Sequence, residues 1–160
     1  MSSEKILLIF DFDETIVDRD SIYEQARMTL SDEEYHKIME IDSFDYYEAF
    51  NYFFKKEKEI GLNLKDINSN LEKLSLSPKM HELFDYIRQN KSKYDLLLLS
   101  GDIDYSINYL LKHHNFLDLF SYMICNKAEI QDDKSERIIY VKEINFHMIV
   151  ICVYLVNVKD

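Results

Sequence analysis

An unbroken apolar run that ends in two acidic residues is the feature that most constrains the fold of this chain. Residues 6–10 read Ile-Leu-Leu-Ile-Phe, and Asp11 and Asp13 follow with one residue between them. A short continuous apolar run is typical of a buried strand in a parallel sheet. Because side chains alternate along a strand, the two carboxylates leave its carboxyl end in roughly the same direction. Open α/β folds have their active sites at that end.

The acidic pair needs a partner, because two neighbouring carboxylates repel each other unless a proton or a cation lies between them. Mg²⁺ is the simplest partner, since it is a hard ion that prefers oxygen ligands. A helix cap is the structural alternative, but a cap needs a single oxygen, which Thr15 could supply. The pattern therefore favours a Mg²⁺ site at Asp11 and Asp13. In phosphoryl transfer, one such carboxylate attacks phosphorus, and the other moves a proton.

Apolar runs and helical segments alternate along the rest of the chain. The pattern predicts further strands over 95–99 and 121–125, and helices over about 79–90 and 104–114. This alternation is typical of an α/β fold with a doubly wound parallel sheet. Residues 20–75 are mostly helical and form an insert after the first strand. We expect this insert to be a cap that covers the active site, and we assign residues 1–19 and 76–160 to the core domain.

Several stretches together resemble the haloacid dehalogenase (HAD) superfamily of phosphatases. Residues 11–18, Asp-Phe-Asp-Glu-Thr-Ile-Val-Asp, are similar to its first motif. Within the superfamily the chain resembles the group that contains the phosphoethanolamine/phosphocholine and pyridoxal-phosphate phosphatases. Residues 45–61 resemble the cap helix of that group, and residues 76–80 resemble its return to the core. Residues 96–100 resemble its second motif, and residues 110–114 the helix that follows.

The resemblance implies a function and assigns roles to residues. It implies a Rossmann-like HAD core and a Mg²⁺-dependent phosphatase that acts on a small phosphorylated metabolite. Asp11 would be the nucleophile that forms an aspartyl-phosphate, and Asp13 would be the proton donor and general acid-base. Both would bind the metal. Ser100 would hydrogen-bond a phosphoryl oxygen, with Thr15 as a further candidate phosphate ligand.

Two acids that the family uses to receive substrate are missing. The family has one acid next to the serine of its second motif, where this chain has Gly101, and another where it has Ile22. Asp20 and Asp102 lie one or two positions away and are candidate substitutes in substrate binding. The expected substrate is a phosphomonoester such as pyridoxal phosphate, phosphoethanolamine or phosphocholine.

The family's C-terminal motifs are also absent. The family continues with a lysine and a Gly-Asp-Gly-x-Asn-Asp sequence, whereas this chain has no such sequence after residue 130. Lys159 and Lys142 are candidates for the phosphate-binding lysine, with a charged chain end as the alternative. Asp132 and Asp133 are expected in a solvated loop. Two hypotheses follow: an active phosphatase, or a truncated or spliced pseudoenzyme of the same family with little turnover.

Composition limits the partners. The net charge of −11 argues against nucleic acid and against an anionic membrane surface, because both are polyanions. The N-terminal apolar stretch lacks a cleavage pattern, and residues 148–156 are too few to span a bilayer, so a cytoplasmic location is expected. Cys125 and Cys152 lie in apolar runs and are expected to be buried free thiols. Aromatic residues of the insert, such as Phe50 and Phe53, keep helical spacing and are expected in its core.

Overall fold

Three parallel strands form the centre of the molecule. The computed structural model describes residues 5–40, 46–133 and 136–142. Strands β1 (Ile6–Phe10), β2 (Tyr94–Ile103) and β3 (Phe120–Asp133) lie side by side in that order. The parallel sheet predicted from the apolar runs is therefore confirmed, with β1 paired to β2 and β2 paired to β3.

Helices connect the strands and fill the insert. Among the described residues, four α-helices lie in the insert and two follow it: α1 (Ser21–Ala26), α2 (Asp32–Met39), α3 (Tyr46–Glu59), α4 (Leu64–Leu71), α5 (Met80–Gln89) and α6 (Asp104–His113). Local sequence explains two starts, because α2 and α4 each begin with a capping box in which the cap and the third residue bond each other's backbone. Helix α5 lies in the connection from β1 to β2, and α6 lies in the connection from β2 to β3. Both connections move in the same direction across the sheet. Because such connections are right-handed, both helices lie on the same face of the sheet.

Aromatic side chains pack between the sheet and helix α5. The rings of Phe10, Phe84 and Phe120 lie within 5.5 to 6.1 Å of one another and join β1, α5 and β3. Along β2, Leu96 and Leu98 are buried, whereas the alternate residues are only partly buried. The insert has its own aromatic packing, since Phe50, Phe53 and Phe54 of α3 are all buried. This burial agrees with the expectation that the insert's aromatic residues form a core.

The chain leaves the sheet for the insert and returns to it at neighbouring points. Val17 and Leu76 form an isolated antiparallel bridge. Next to it, the Asp18 N–H donates to the Ser75 carbonyl at 2.9 Å, and the Ser75 N–H donates to Asp18 Oδ1 at 3.0 Å. The assignment of residues 20–75 to a cap remains a prediction.

The C-terminal part of the described chain differs from the sequence-based expectation. Strand β3 continues to Asp133, and β4 (Glu136–Lys142) pairs with it antiparallel. Asp132 and Asp133 thus lie in a strand, and the prediction of a solvated loop was wrong. Polar residues such as these favour a loop locally, but Asp132 pairs with Arg137 and Asp133 with Glu136, and this backbone pairing outweighs the local preference.

β1 is less buried than its apolar sequence predicts. Ile6 is 57% exposed and Leu7 is 54% exposed. Among the described residues, the second edge of β1 has no paired strand, because the sheet begins with β1. An apolar strand edge is therefore open to solvent in the part of the chain that the structure describes.

Within the described ranges, no helix is long and apolar enough to cross a membrane. Cys125 is a free, buried thiol, and burial raises its pKa to about 11. The expectation of a buried free thiol is met at Cys125, while Cys152 lies outside the described residues.

Candidate active site

The turn after β1 is built around a buried phenylalanine. Phe12 points into the core with no exposed surface, and its carbonyl accepts from the N–H groups of Ile16 at 2.8 Å and Val17 at 3.1 Å. Its N–H donates to Asp11 Oδ1 at 2.7 Å. Glu14 has a φ of 51°, in the left-handed region that non-glycine residues seldom adopt. The turn therefore holds Phe12 inside, with Asp11 exposed and Asp13 half-buried on its outer side.

Asp13 is oriented by the first residue of α1. The Ser21 N–H donates to Asp13 Oδ1 at 2.8 Å. Burial raises the pKa of Asp13 to about 6, the Ser21 bonds act against this rise, and the charges of Asp20 and Asp11 add to it. A carboxyl group that titrates near neutrality can carry a proton in either direction at cellular pH.

Behind Asp13 lies a second, fully enclosed acid. Asp102 is 1% exposed, its Oδ2 accepts from Ser21 Oγ at 2.9 Å, and its Oδ1 accepts from the Ile103 N–H at 2.6 Å. Burial, followed by the charge of Asp13, raises the pKa of Asp102 well above its usual range. Ser21 thus contacts both acids, one through its backbone and one through its hydroxyl group.

Ser100 lies at the same end of the sheet as Asp11. Phe10, the residue before Asp11, pairs with Leu98 in the parallel register. Ser100 lies two residues after Leu98 in the same strand direction. Its Oγ accepts from the Asp102 N–H at 3.1 Å. Next to Ser100, in the last part of β2, the Gly101 carbonyl accepts from Nδ2 of Asn126 on β3 at 2.6 Å. The convergence of Ser100, Asp11 and Asp13 on one phosphate remains a prediction.

The remaining candidates have simpler surroundings. Asp20 is the N-cap of α1, since its Oδ1 accepts from the Tyr23 N–H at 2.9 Å. Thr15 is half-buried in the turn after β1. Both lie within a few residues of Asp13, so both remain candidates for contact with a substrate.

Of the two lysine candidates for phosphate binding, Lys142 lies within the described residues. Lys142 ends β4, and its backbone pairs with that of Lys127 on β3. Lys127 Nζ lies 3.1 Å from Asp104 Oδ2. Lys159 lies outside the described residues. Lys127 is a cation in the middle of β3, directly after Asn126, the last residue of β3 that pairs with β2, and the sequence analysis does not predict it.

The donor set limits what ion this site could bind. No group of three or more His, Cys, Asp or Glu side chains suited to a metal occurs among the described residues. Asp11 and Asp13 offer carboxylate oxygens alone, which suits Mg²⁺, because that ion commonly keeps several waters and uses one or two carboxylates with substrate phosphate. The two acids therefore fit Mg²⁺, and they would not complete an all-protein cage.

Sequence reasoning missed three residues that shape the site: Ser21, Glu14 and Asn126. A serine directly after a capping aspartate at a helix start could have pointed to Ser21, because helix starts offer free N–H groups. The left-handed φ of Glu14 and the long-range bond of Asn126 have no comparable local signal, since both depend on how distant segments meet.

A family model described as "Putative Phosphatase" matches residues 6–152. The chain is 32% identical over 133 residues to the pyridoxal phosphate phosphatase PHOSPHO2 of Homo sapiens, covering 78% of this chain and 52% of that protein. It is 29% identical over 136 residues to the phosphoethanolamine/phosphocholine phosphatase of Homo sapiens, covering 78% and 47%. The chain thus spans about half the length of the curated relatives it matches.

Solved structures agree on the fold. A phosphoserine phosphatase solved as a phospho-aspartyl intermediate analogue superposes with a TM-score of 0.62 at 19% identity, over 87% of this chain and 64% of that one. A HAD family hydrolase from Salmonella enterica superposes with the same score at 19% identity, over 84% and 43%. The fold is therefore the Rossmann-like HAD fold, as the sequence analysis predicts.

Proposed function

The chain belongs to the "Putative Phosphatase" family, and from this membership we propose that it hydrolyses small phosphomonoesters through a covalent intermediate on Asp11. The observation that carries the proposal is the turn after β1. It presents the exposed carboxylate of Asp11 next to Asp13, whose pKa burial raises toward neutral pH. Nucleophilic and acid-base roles need this contrast between two neighbouring acids.

In the first step, a carboxylate oxygen of Asp11 attacks the phosphorus of the bound ester. The bond between phosphorus and the alcohol oxygen breaks, and the carboxyl group of Asp13 gives its proton to the departing alkoxide. The products are an aspartyl-phosphate on Asp11, the free alcohol and an ionised Asp13. The raised pKa of Asp13 favours this step, because the group holds a proton closer to neutrality than an ordinary aspartate does.

In the second step, Asp13 acts as a base. Its carboxylate takes a proton from a water molecule, whose oxygen attacks the phosphorus of the aspartyl-phosphate. The phosphorus–oxygen bond to Asp11 breaks, inorganic phosphate leaves, and both acids return to their starting states. The hydrogen bond from the Ser21 N–H keeps Asp13 in one orientation during both proton transfers.

Asp11 and Asp13 are the residues that would hold Mg²⁺, which, when bound, supplies positive charge against the negative charge that develops on the phosphoryl group. The hydroxyl of Ser100 would donate to a phosphoryl oxygen, and Thr15 and Lys159 are further proposed phosphate ligands. Asp13 without a cation is surrounded by the charges of Asp20 and Asp11. A divalent cation would relieve this repulsion.

The proposed substrates are small phosphorylated metabolites. Relatives carry the names of pyridoxal phosphate phosphatase and phosphoethanolamine/phosphocholine phosphatase, and we extend both substrate classes to this chain as a proposal. Asp20, at the start of α1, is a proposed contact for a cationic part of the substrate. A cytoplasmic location, where such metabolites occur, is part of the same proposal.

A second candidate function is binding with little turnover. Two observations favour it: the chain carries no Gly-Asp-Gly-x-Asn-Asp sequence, and the second edge of β1 is unpaired among the described residues. A protein of this kind would retain a phosphorylated metabolite without cleaving it rapidly.

Hydrolysis of a generic aryl phosphate by the purified chain tests the proposal. We expect turnover that requires Mg²⁺ and disappears in Asp11→Asn, because the amide keeps the shape of the side chain and removes its nucleophilic charge. Asp95→Asn is the matched control, since Asp95 lies near the amino end of β2 and pairs with Lys5. Phosphate release that is equal in Asp11→Asn and wild type would overturn the assignment of the nucleophile. Binding of phosphate without any release would favour the second function.

A further inference from the structure

We propose that Asp102 is a positioning residue: its carboxyl group holds Asp13 in its working orientation through Ser21, and its backbone N–H holds the hydroxyl group of Ser100. It would not contact the substrate. This role rests on the proposed phosphatase function, but the chain of hydrogen bonds that carries it can be tested without any turnover.

The bonds form a continuous path. The carboxylate of Asp102 accepts from Ser21 Oγ at 2.9 Å, and the Ser21 N–H donates to Asp13 Oδ1 at 2.8 Å. In the other direction, the N–H of Asp102 donates to Ser100 Oγ at 3.1 Å. Asp102 is thus the one residue described here that bonds both to Ser100 and to the serine that orients Asp13.

The burial of Asp102 and Ser21 argues for a positioning role and against direct contact with a substrate. Asp102 is 1% exposed and Ser21 is 2% exposed, so neither side chain presents surface to a ligand in this conformation. Enclosing an acid is costly, and such groups are normally kept in place by hydrogen bonds. Both oxygens of Asp102 have partners, Ser21 and Ile103, and this satisfied arrangement fixes the position of Ser21.

Rigid support matters here because the helix and the strand that this bond joins come from different parts of the chain. Ser21 opens α1 in the insert, whereas Asp102 lies at the end of β2 in the core. Their bond spans 81 residues of sequence and joins the insert to the core next to Asp13. A displacement of about 1 Å in a catalytic group can reduce the rate about 100-fold.

The first test measures the amide proton of residue 21 by NMR in metal-free protein. We expect a downfield, slowly exchanging signal in wild type, because this N–H donates to a carboxylate. In Ser21→Ala and Asp102→Ala the signal should move upfield and exchange about tenfold faster. Ser21→Thr keeps the hydroxyl group and should restore the wild-type signal. Ser106→Ala is the control, since it removes another buried serine hydroxyl outside this path.

The second test separates kcat from KM with an aryl phosphate. In Ser21→Ala we expect kcat to fall about 10- to 100-fold with little change in KM, since only the orientation of Asp13 is lost. A higher KM with an unchanged kcat would show substrate contact and overturn the proposal. An unchanged amide signal in Ser21→Ala would also overturn it, even if Asp102→Ala fails to fold. If wild type shows no turnover, the proposed function fails, whereas the amide signals still decide whether Asp102 positions Asp13 through Ser21.

Discussion

Asp13 is the residue at which the stability of the fold and the proposed function oppose each other. Its pKa is raised to about 6, chiefly by burial, so the folded state resists ionisation that the unfolded chain accepts near pH 3.8. As pH rises from about 4 to about 6, the unfolded state binds fewer protons than the folded state, and the folded state loses stability. An acid retained at such a cost is typical of a functional site.

This opposition predicts that Asp13→Asn stabilises the metal-free protein while it removes activity. The amide carries no charge to bury, so its free energy of unfolding at pH 8 should exceed that of wild type. The rate of phosphate release should fall about 10²- to 10⁴-fold, the usual contribution of a general acid-base. Urea denaturation in the presence of a chelator measures the first effect, and aryl phosphate hydrolysis the second. Lower stability in the variant at pH 8 would contradict the explanation by burial.

The sequence was sufficient for the acidic pair and insufficient for its surroundings. Asp11 and Asp13 could be placed at the end of a strand because an apolar run and the alternation of side chains are local signals. The sequence makes Asp102 a candidate substrate contact, but it does not predict the enclosure of Asp102 next to Ser21, because that bond joins residues 81 positions apart. The position of residues at the end of one strand was predictable from local sequence. Hydrogen bonds between segments that are distant in the sequence were not.

At the scale of elements, the contact between α1 and α3 contains a buried acid. Glu57 is 1% exposed, and its Oε1 accepts from Gln25 Nε2 at 2.5 Å. Among the described residues, Glu57 Oε2 has no hydrogen-bond partner. Burial raises the pKa of Glu57 to about 8, and the Gln25 bond acts weakly against this rise. The carboxyl group is thus protonated in the folded protein at neutral pH.

Glu57 therefore makes the protein less stable as pH rises. Between about pH 4.5 and 8 the folded state holds one proton more than the unfolded state, which lowers the free energy of unfolding by about 1.4 kcal/mol per pH unit. Above pH 8 the loss levels off. Glu57→Gln should remove this slope and stabilise the protein at pH 8. Urea denaturation at pH 5, 6.5 and 8 measures the effect.

Glu59→Gln is the control for this prediction. Glu59 lies on the same helix, is exposed and pairs with Lys56 at 3.0 Å. Exposed ion pairs contribute little, so this variant should keep the pH slope of wild type. Equal slopes in wild type and Glu57→Gln would show that the carboxyl group is not buried in solution.

The elements themselves were predictable to different degrees. The three parallel strands followed from apolar runs, and the helical insert followed from periodic aromatic residues. The long extension of β3 and its pairing with β4 did not, because residues such as Asp132 and Asp133 have a low strand preference on their own. Pairing with another strand decided their structure, and single-sequence patterns do not contain that information.

At the scale of the whole molecule, the missing acidic sequence should limit the rate. The loss of one preorganised charge in such a site costs about 3–4 kcal/mol, or a hundredfold or more. The 160-residue chain lacks one family carboxylate motif, so we expect turnover well below the ordinary range of about 1–1,000 per second. Steady-state hydrolysis with saturating Mg²⁺ measures it. A rate within the ordinary range would mean that another residue replaces the missing acid.

The open edge of β1 should also affect how molecules associate. Leu7 is 54% exposed on a strand whose second edge is unpaired among the described residues. Such edges tend to pair with other chains, and a lysine on the edge opposes this. Leu7→Lys should therefore reduce concentration-dependent association in analytical ultracentrifugation. Leu83→Lys is the control, because Leu83 is also exposed but lies on α5. An equal reduction in both variants would point to general hydrophobicity as the cause.

The bridge between Val17 and Leu76 has a consequence for the history of such proteins. Because the chain leaves and returns at adjacent positions, a segment of nearly sixty residues can be lengthened, shortened or exchanged without moving either end. Selection can act on this segment while the sheet and its acids stay as they are. Replacement of this one segment is thus a route by which proteins with the same sheet acquire different specificities.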